Sequence, residues 1–249
     1  MQNTRAERRF GLNHDQLLVL AMAFMLLDHL WATIISGQLW LTCVGRMAFP
    51  IFAFLIGEGY AHTHDWKKYA KRLFWFGVIS EIPFNLMIFS FPVFPFHQNV
   101  MFTLLLGLLA IHFLDTGRHT QKEEMGKRAK NALLCLLCVL LGSLLMTDYG
   151  ATGVLMVLLL WVFRDLPHGW VGQLAGMVLL NLFADGQTIP LTLGSFVWEM
   201  PLQSFALLAL VWIWLYNGQK GKGGKAFQYF GYAFYPVHML VLFAISWLR

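Results

Sequence analysis

Charge is what this sequence has least of. Asp, Glu, Lys and Arg make up only 12% of its 249 residues, whereas 58% are hydrophobic. Soluble domains typically carry about 25% charged residues, so this composition excludes an ordinary soluble domain. The apolar residues also come in runs of roughly 20, the length that a bilayer-crossing helix needs. The composition therefore predicts an all-α, polytopic membrane helix bundle that forms a single domain over residues 1–249.

Cysteine is also scarce, with three residues in the chain. Cys135 and Cys138 form a C-x-x-C pattern within an apolar helix, with no second pair nearby, which favours buried small hydrophobes over a zinc or redox site. His62, His64 and Asp65 lie beside lysines, a pattern typical of a solvated loop. The sequence lacks G-x-S-x-G, Walker A and H-E-x-x-H patterns as well. We therefore expect no metal site.

Nine apolar segments are candidate membrane spans, which predicts about nine transmembrane helices. They are Asp15–Ile35, Leu41–Ala61, Leu73–Phe91, Val100–Leu114, Ala132–Met146, Ala151–Phe163, Gly169–Ala184, Phe196–Tyr216 and Phe227–Leu248. With the N-terminus in the cytoplasm and the C-terminus outside, every Lys and Arg except Arg46 and Arg249 falls on the cytoplasmic side. The positive-inside rule describes this bias, which explains the net charge of +5 without a nucleic-acid partner.

Three polar residues fall at membrane depth in the first two segments. Asp28 and His29 lie in the first, and Arg46 lies in the second, just before Pro50, which is expected to kink that helix. The short connection makes the two segments an antiparallel hairpin, so Asp28 is expected to pair with Arg46. Adjacent helical residues point about 100° apart, so His29 is expected to face a cavity instead. The alternative is a buried salt bridge that only holds the hairpin together.

Further polar residues are expected to line a cavity that opens to the outer side. Glu81 and Asn85 lie in the third segment, which Pro83 is expected to break, and the others are Asn99, Tyr149 and His238. These five are candidate substrate-binding residues, because intramembrane polar groups mark functional sites. A lone intramembrane histidine is about as often a helix–helix hydrogen-bond donor, so His238 has both interpretations.

The polar motifs resemble those of the TraX family, whose plasmid-encoded members are associated with N-terminal acetylation of conjugative pilin. The matching pieces are Leu27-Asp28-His29, Gly45-Arg46-x-Ala48-Phe49-Pro50-x-Phe52, Asn99, Tyr149-Gly150 and the aromatic-x-x-His at Tyr235–His238. They follow one another in the right order over nearly the whole chain. The segments GEGYAHT, KKYAKRL, ISEIPFNL and HQNVMFTLLLGLL look closer to chromosomal TraX-like proteins.

More distantly, the Asp-His and FPxFxF hairpin is similar to that of transmembrane acyltransferases that use cytosolic acetyl-CoA. The resemblance implies an acetyltransferase of the bacterial inner membrane, with His29 as the catalytic histidine and acetyl-CoA as co-substrate. We expect Asp28 and Arg46 to assist His29, and Lys67, Lys68, Lys71 and Arg72 to meet the CoA phosphates. Positive-inside topology by itself also accounts for that basic cluster.

The expected acceptor is an amine or hydroxyl at the outer side of the membrane, either a protein such as pilin or a cell-envelope glycan. Membrane lipids surround the chain. An alternative function is a proton-coupled transporter in which the same buried polar residues form the path. A catalytically silent scaffold is a third alternative, and it predicts that His29→Ala preserves function.

Overall fold

A computed structural model describes residues 10–182, 186–194 and 196–249 of the chain. The helices are α1 (His14–Thr33), α2 (Leu39–Gly45), α3 (Ala48–His62), α4 (Trp66–Phe89), α5 (Val100–His119), α6 (Met125–Leu144), α7 (Gly150–Val162), α8 (Gly169–Leu182), α9 (Ala209–Trp214) and α10 (Gly224–Trp247). A β-hairpin of β1 (Thr188–Leu193) and β2 (Phe196–Pro201) and a 3₁₀ helix (Leu202–Leu208) lie between α8 and α9. The fold is therefore predominantly helical, as predicted.

Five helical segments among the described residues are long and apolar enough to cross a membrane: α1, α2 together with α3, α4, α5 and α10. Helices α7 and α8 are shorter, and α6 carries three basic residues near its start. The chain is thus a membrane protein with several apolar helices. Nine crossings, the orientation and the single domain stay predictions.

The predicted span Phe196–Tyr216 is wrong. Its first six residues form β2, and the rest divides into the 3₁₀ helix and the six-residue α9. Pro201 explains the boundary, because proline cannot donate to a continuing strand ladder and suits the start of a helix. An apolar run alone does not distinguish a long helix from this mixture.

Proline acts differently in the two segments for which a break or kink was expected. The second segment does divide, at Arg46 and Met47, so that Pro50 occupies the first turn of α3, where its missing N–H costs little. Helix α4 instead continues from Trp66 to Phe89 with Pro83 inside it, so the predicted break at Pro83 is wrong. Membrane helices tolerate such a proline because neighbouring groups satisfy the freed carbonyl.

The chain forms two compact units. Among the described residues, the first comprises those within Met1–Phe52, Phe163–Phe234 and Ala244–Arg249. The second comprises Ala53–Val162 and Tyr235–Phe243. In the first unit, Asn13 caps α1 through a reciprocal capping box with Gln16. Backbone hydrogen bonds of 2.8 and 2.9 Å then join Leu12 to Leu215 and Asn217, which ties the start of α1 to the segment after α9.

The second unit is built around α5, which packs against α4, α6 and α7. Close approach depends on glycine, since a Cβ on Gly107 would lie 2.8 Å from the Val157 side chain on α7. The α4–α5 and α6–α7 connections are joined as well: Gln98 N–H donates to the Met146 carbonyl (2.9 Å), and Asp148 N–H donates to the Gln98 carbonyl (2.8 Å). These bonds fix one end of the unit, where most of its predicted polar residues lie.

Candidate functional site

In the first unit, Asp28 on α1 forms an ion pair with Arg46, the residue that directly follows α2. Arg46 Nη2 lies 2.7 Å from each carboxylate oxygen, and the Thr42 hydroxyl donates a 2.7 Å hydrogen bond to Oδ1. The Arg46 and Asp28 side chains are only 23% and 16% exposed, so water screens the pair weakly. The predicted pairing is confirmed. Sequence reasoning missed Thr42, although its position four residues before Arg46 places both on one helix face.

Gly45 permits this contact. A Cβ at Gly45 would lie 2.4 Å from the Cβ and 2.8 Å from the Cα of Asp28, distances that real atoms do not adopt. The backbones of α1 and α2 therefore touch at the level of the ion pair. The glycine of the Gly45-Arg46 motif is explained by this approach rather than by any unusual backbone angle.

His29 is half-buried on α1, directly after Asp28. Its main-chain carbonyl accepts a 2.6 Å hydrogen bond from the Thr33 hydroxyl. The Asp28 carboxylate accepts hydrogen bonds from Thr42 of α2 and from Arg46, so Asp28 fastens α1 to α2. The catalytic role of His29 stays a prediction.

In the second unit, Glu81 on α4 and Asn99 at the start of α5 form a buried acid–amide contact. Glu81 Oε1 accepts hydrogen bonds from the Asn99 backbone N–H (2.9 Å) and from its side-chain amide. Asn99 is fully buried, donates a second amide hydrogen bond to the Gly77 carbonyl (2.9 Å), and caps α5 by accepting from Met101 N–H (3.0 Å). Both predicted residues are thus brought together, and Asn99 also has a structural role.

Tyr149 lies at the same end of the unit, in a tight turn. Tyr149 (φ 64°) and Gly150 (φ 49°) are consecutive left-handed residues that reverse the chain between α6 and α7. Tyr235 of α10 is buried in the same unit. The Thr103 hydroxyl donates to the Asp148 carbonyl. The Tyr149-Gly150 motif therefore shapes the turn that follows Asp148.

His97 and Asp148 form an ion pair across the two connections at this end. The His97 Nε2 and Asp148 Oδ1 atoms are 3.6 Å apart, and the imidazole is stacked on the Phe84 ring with centroids 5.5 Å apart. The neighbouring Asp148 carboxylate raises the pKa of His97, partly offset by desolvation, while the charge of Glu81 acts in the same direction as Asp148. This end of the unit can therefore respond to pH.

The two remaining predicted substrate-binding residues are buried in the second unit. Asn85 and His238 are 3% and 6% exposed. Asn85 Oδ1 has no hydrogen-bond partner among the described residues, which suits a polar group that awaits a ligand or water. Their substrate contacts stay predictions.

The predicted donor-binding residues lie in the first two turns of α4. Lys67, Lys68 and Lys71 are exposed. Lys68 pairs with Asp65 at 3.3 Å, whereas the Arg72 guanidinium lies 5.5 Å from the Tyr69 ring centre, and Arg72 Nε has no hydrogen-bond partner among the described residues. Exposed ammonium groups bind anions such as phosphates, whereas Arg72 Nε is buried. Binding of CoA by these residues stays a prediction.

Sequence reasoning missed a second titratable cluster in this unit. The Tyr60 hydroxyl donates to Asp115 Oδ2 (3.1 Å) and lies 3.4 Å from His112 Nδ1, and the His112 ring stacks on Trp66 at 3.8 Å. The residues come from α3, α4 and α5, so no local spacing links them. Only the i, i+3 positions of His112 and Asp115 on α5 gave a signal.

The chain matches the family of the TraX protein over residues 13–246. It is 30% identical to the probable fimbrial assembly protein FimC, serogroup H1, of Dichelobacter nodosus, over 94% of this chain and 96% of that protein. It is also 29% identical to the protein TraX of Escherichia coli and 28% identical to that of strain K12, each over 57% of this chain and 53% of the relative. No solved structure shows significant similarity to the chain.

Proposed function

The chain belongs to the TraX family, and from that premise we propose that it is an integral membrane acetyltransferase that acts in pilus or fimbrial assembly. In this proposal an acetyl group passes from cytosolic acetyl-CoA to an amine or hydroxyl acceptor at the outer side of the membrane. A pilin N-terminus or a cell-envelope glycan would serve as acceptor. The family match and the name of the Dichelobacter nodosus relative, a probable fimbrial assembly protein, support the assembly role.

The observation that carries the enzymatic proposal is the set of hydrogen bonds made by the Asp28 carboxylate. This carboxylate binds Arg46 and Thr42 of α2, so the ion pair neutralises the arginine and fixes α1 beside α2. The histidine that follows it is thereby placed on a rigid helix, and a precisely held group is what general-base catalysis requires. Such a costly arrangement at membrane depth is typical of a functional site.

The proposed chemistry is a direct acyl transfer. Acetyl-CoA supplies an activated thioester. His29 takes the proton of the acceptor amine or hydroxyl as its nitrogen or oxygen bonds to the acetyl carbon. The carbon–sulfur bond then breaks, and CoA leaves as the thiol after taking up a proton. The exposed lysines of α4 would bind the phosphates of the donor.

The first experiment measures CoA thiol release by purified protein in lipid nanodiscs, with acetyl-CoA and a cell-envelope extract as acceptor. We expect His29→Ala to lower turnover by about 100-fold or more, the usual contribution of a general base. His14→Ala is the matched control, because it removes a histidine from the polar end of the same helix. Equal turnover by wild type and His29→Ala would contradict the proposal. Proton-coupled solute uptake without thiol release would favour the transporter.

Donor binding has its own test. Replacing Lys67 and Lys71 by alanine is expected to raise the KM for acetyl-CoA roughly tenfold, equivalent to about 1.4 kcal/mol, with kcat little changed. The control removes two exposed positive charges elsewhere in the unit, at Arg128 and Lys130 on α6. If both double variants change KM alike, the effect is general electrostatics and the α4 surface is not the donor site.

A further inference from the structure

The β-hairpin that replaces part of the predicted eighth span has two faces of different polarity. In its register Ile189 is opposite Met200, and Leu191 is opposite Trp198. Cross-strand partners share a face of a sheet, and alternate pairs point the same way. These four apolar residues therefore occupy one face of the hairpin.

The opposite face is more polar. It carries Thr188, Glu199 and Thr192, together with Pro190, Pro201 and Val197. The Thr188 hydroxyl donates a 2.7 Å hydrogen bond to Glu199 Oε2 across the strands. On the apolar face, Leu191 and Trp198 are 38% and 41% exposed, whereas Ile189 and Met200 are half-buried. The exposed part of this apolar face needs an apolar environment from elsewhere.

The neighbouring helix indicates which environment that is. Helix α8 has 14 residues and is therefore only about 21 Å long, shorter than the hydrocarbon core of about 30 Å. The charged pair Arg164 and Asp165 marks the polar turn before α8. A helix that starts at this polar boundary ends before the opposite boundary, and its exposed Leu174 and Leu179 continue the lipid-facing surface towards the hairpin. The end of α8 therefore lies within about 9 Å of the opposite boundary, and the hairpin follows from there.

Backbone hydrogen bonding decides how deep the hairpin can lie. A two-stranded hairpin has two edges with unpaired N–H and C=O groups, and these cannot be placed in hydrocarbon. The headgroup region provides water and polar groups for the edges and acyl chains for the apolar face. Strand addition by another peptide is disfavoured along β1, because Pro190 has no N–H to donate.

We propose that this hairpin is an interfacial membrane anchor, with Ile189, Leu191, Trp198 and Met200 facing the acyl chains and Thr188 and Glu199 facing water. Tryptophan suits this position, because its ring is apolar and its N–H is polar. In the predicted orientation the hairpin lies in the outer leaflet. The anchor fixes the segment that connects α8 to the 3₁₀ helix. At the base of the hairpin, Leu202 N–H donates to the Gln187 carbonyl (2.8 Å).

The test compares nitroxide labels at two successive residues of β1 in proteoliposomes of phosphatidylcholine and phosphatidylglycerol. Leu191→Cys places the label on the apolar face, and Thr192→Cys places it on the opposite face as the matched control. Cys43, Cys135 and Cys138 are replaced by alanine in both. The measured quantity is the spin-relaxation rate of each label, which collisions with a paramagnetic reagent increase. We expect oxygen, which concentrates in acyl chains, to be the more effective reagent for the label at 191. A water-soluble nickel chelate is expected to be the more effective reagent for the label at 192.

Two outcomes would overturn the proposal. If both labels respond mainly to the nickel chelate, the hairpin lies in water. If the label at 191 responds to neither reagent, protein rather than lipid covers the face. A second measurement without a label excludes a local effect of the nitroxide. The fluorescence of wild type minus that of Trp198→Phe gives the emission of Trp198. Quenching of that difference by lipids brominated near the headgroup supports the anchor, and quenching only by aqueous iodide contradicts it.

Discussion

Arg46 holds Asp28 through a single nitrogen, Nη2, which is 2.7 Å from both carboxylate oxygens. This contact links α1 to the C-terminal end of α2, where the second apolar segment divides. Removing one partner of a shielded pair leaves the other charge uncompensated, whereas removing both does not. The ion pair can therefore be separated experimentally into its structural and catalytic contributions.

Asp28→Leu and Arg46→Met are each expected to lower the free energy of unfolding by about 3 kcal/mol, as is usual when a shielded charge loses its partner. The double variant should lose less free energy of unfolding than the two single variants together, because no unpaired charge remains. Thermal or denaturant unfolding in mild detergent measures this. Lys68→Ala, which breaks an exposed pair with Asp65, is the control and should change stability little. Strictly additive losses would show that the two side chains do not interact energetically.

Gly45→Ala should separate α1 from α2. The added methyl would overlap Asp28 backbone atoms that cannot move independently of the helix, so we expect a loss of about 1–3 kcal/mol, typical of overpacking. The proposed acetyl-transfer activity should fall with it, because His29 is the next residue on α1. Gly37→Ala is the matched control, since nothing lies within 4 Å of a Cβ there. Equal melting temperatures for the two variants would contradict the close approach.

Glu81 should tolerate glutamine much better than alanine in stability measurements. Glutamine keeps an oxygen that accepts from the Asn99 N–H groups. Alanine leaves the buried Asn99 backbone N–H without this acceptor and the side-chain amide with only the Gly77 carbonyl, at a cost of about 1–3 kcal/mol. If Glu81→Gln folds normally but loses acetyl transfer, the charge of Glu81 serves the acceptor. If Glu81→Gln is as unstable as Glu81→Ala, the carboxylate charge itself holds α4 to α5.

The His97–Asp148 pair should stabilise the protein more at acidic than at alkaline pH. The neighbouring Asp148 carboxylate raises the pKa of His97 above its usual 6.5, so the folded state binds the proton more tightly than the unfolded state. The resulting stability is fully present below the unfolded pKa and is lost as pH rises through the folded pKa. The melting temperature of wild type minus that of His97→Gln should therefore be larger at pH 5.5 than at pH 8.5.

The size of this effect is expected to be small, because both partners are more than one-third exposed and water screens them. His64→Gln, a change at an exposed loop histidine, serves as the control. If it shows the same pH dependence as His97→Gln, the effect does not come from the His97–Asp148 pair. A His97→Gln difference that is constant or grows with pH would show that the protonated imidazole is not the stabilising form.

The sequence by itself determined the class of the protein and the position of most helices, because hydrophobic length and periodicity are local properties. It also determined that Asp28 and Arg46 meet, since a short connection leaves two adjacent helices little choice. The motif set, from Asp28-His29 to Tyr235–His238, identified the family for the same reason: each piece is short and contiguous in the chain.

Tertiary structure decided everything that depends on residues distant in sequence. A particular packing of helices is required for three hydrogen-bonded contacts: Thr42 with Asp28, Asn99 with Glu81, and Tyr60 with Asp115. The hairpin at Thr188–Pro201 is the clearest case, since its apolar residues resemble those of a spanning helix. Cross-strand pairing gives them a period of two, and only the folded backbone shows which period the chain adopts.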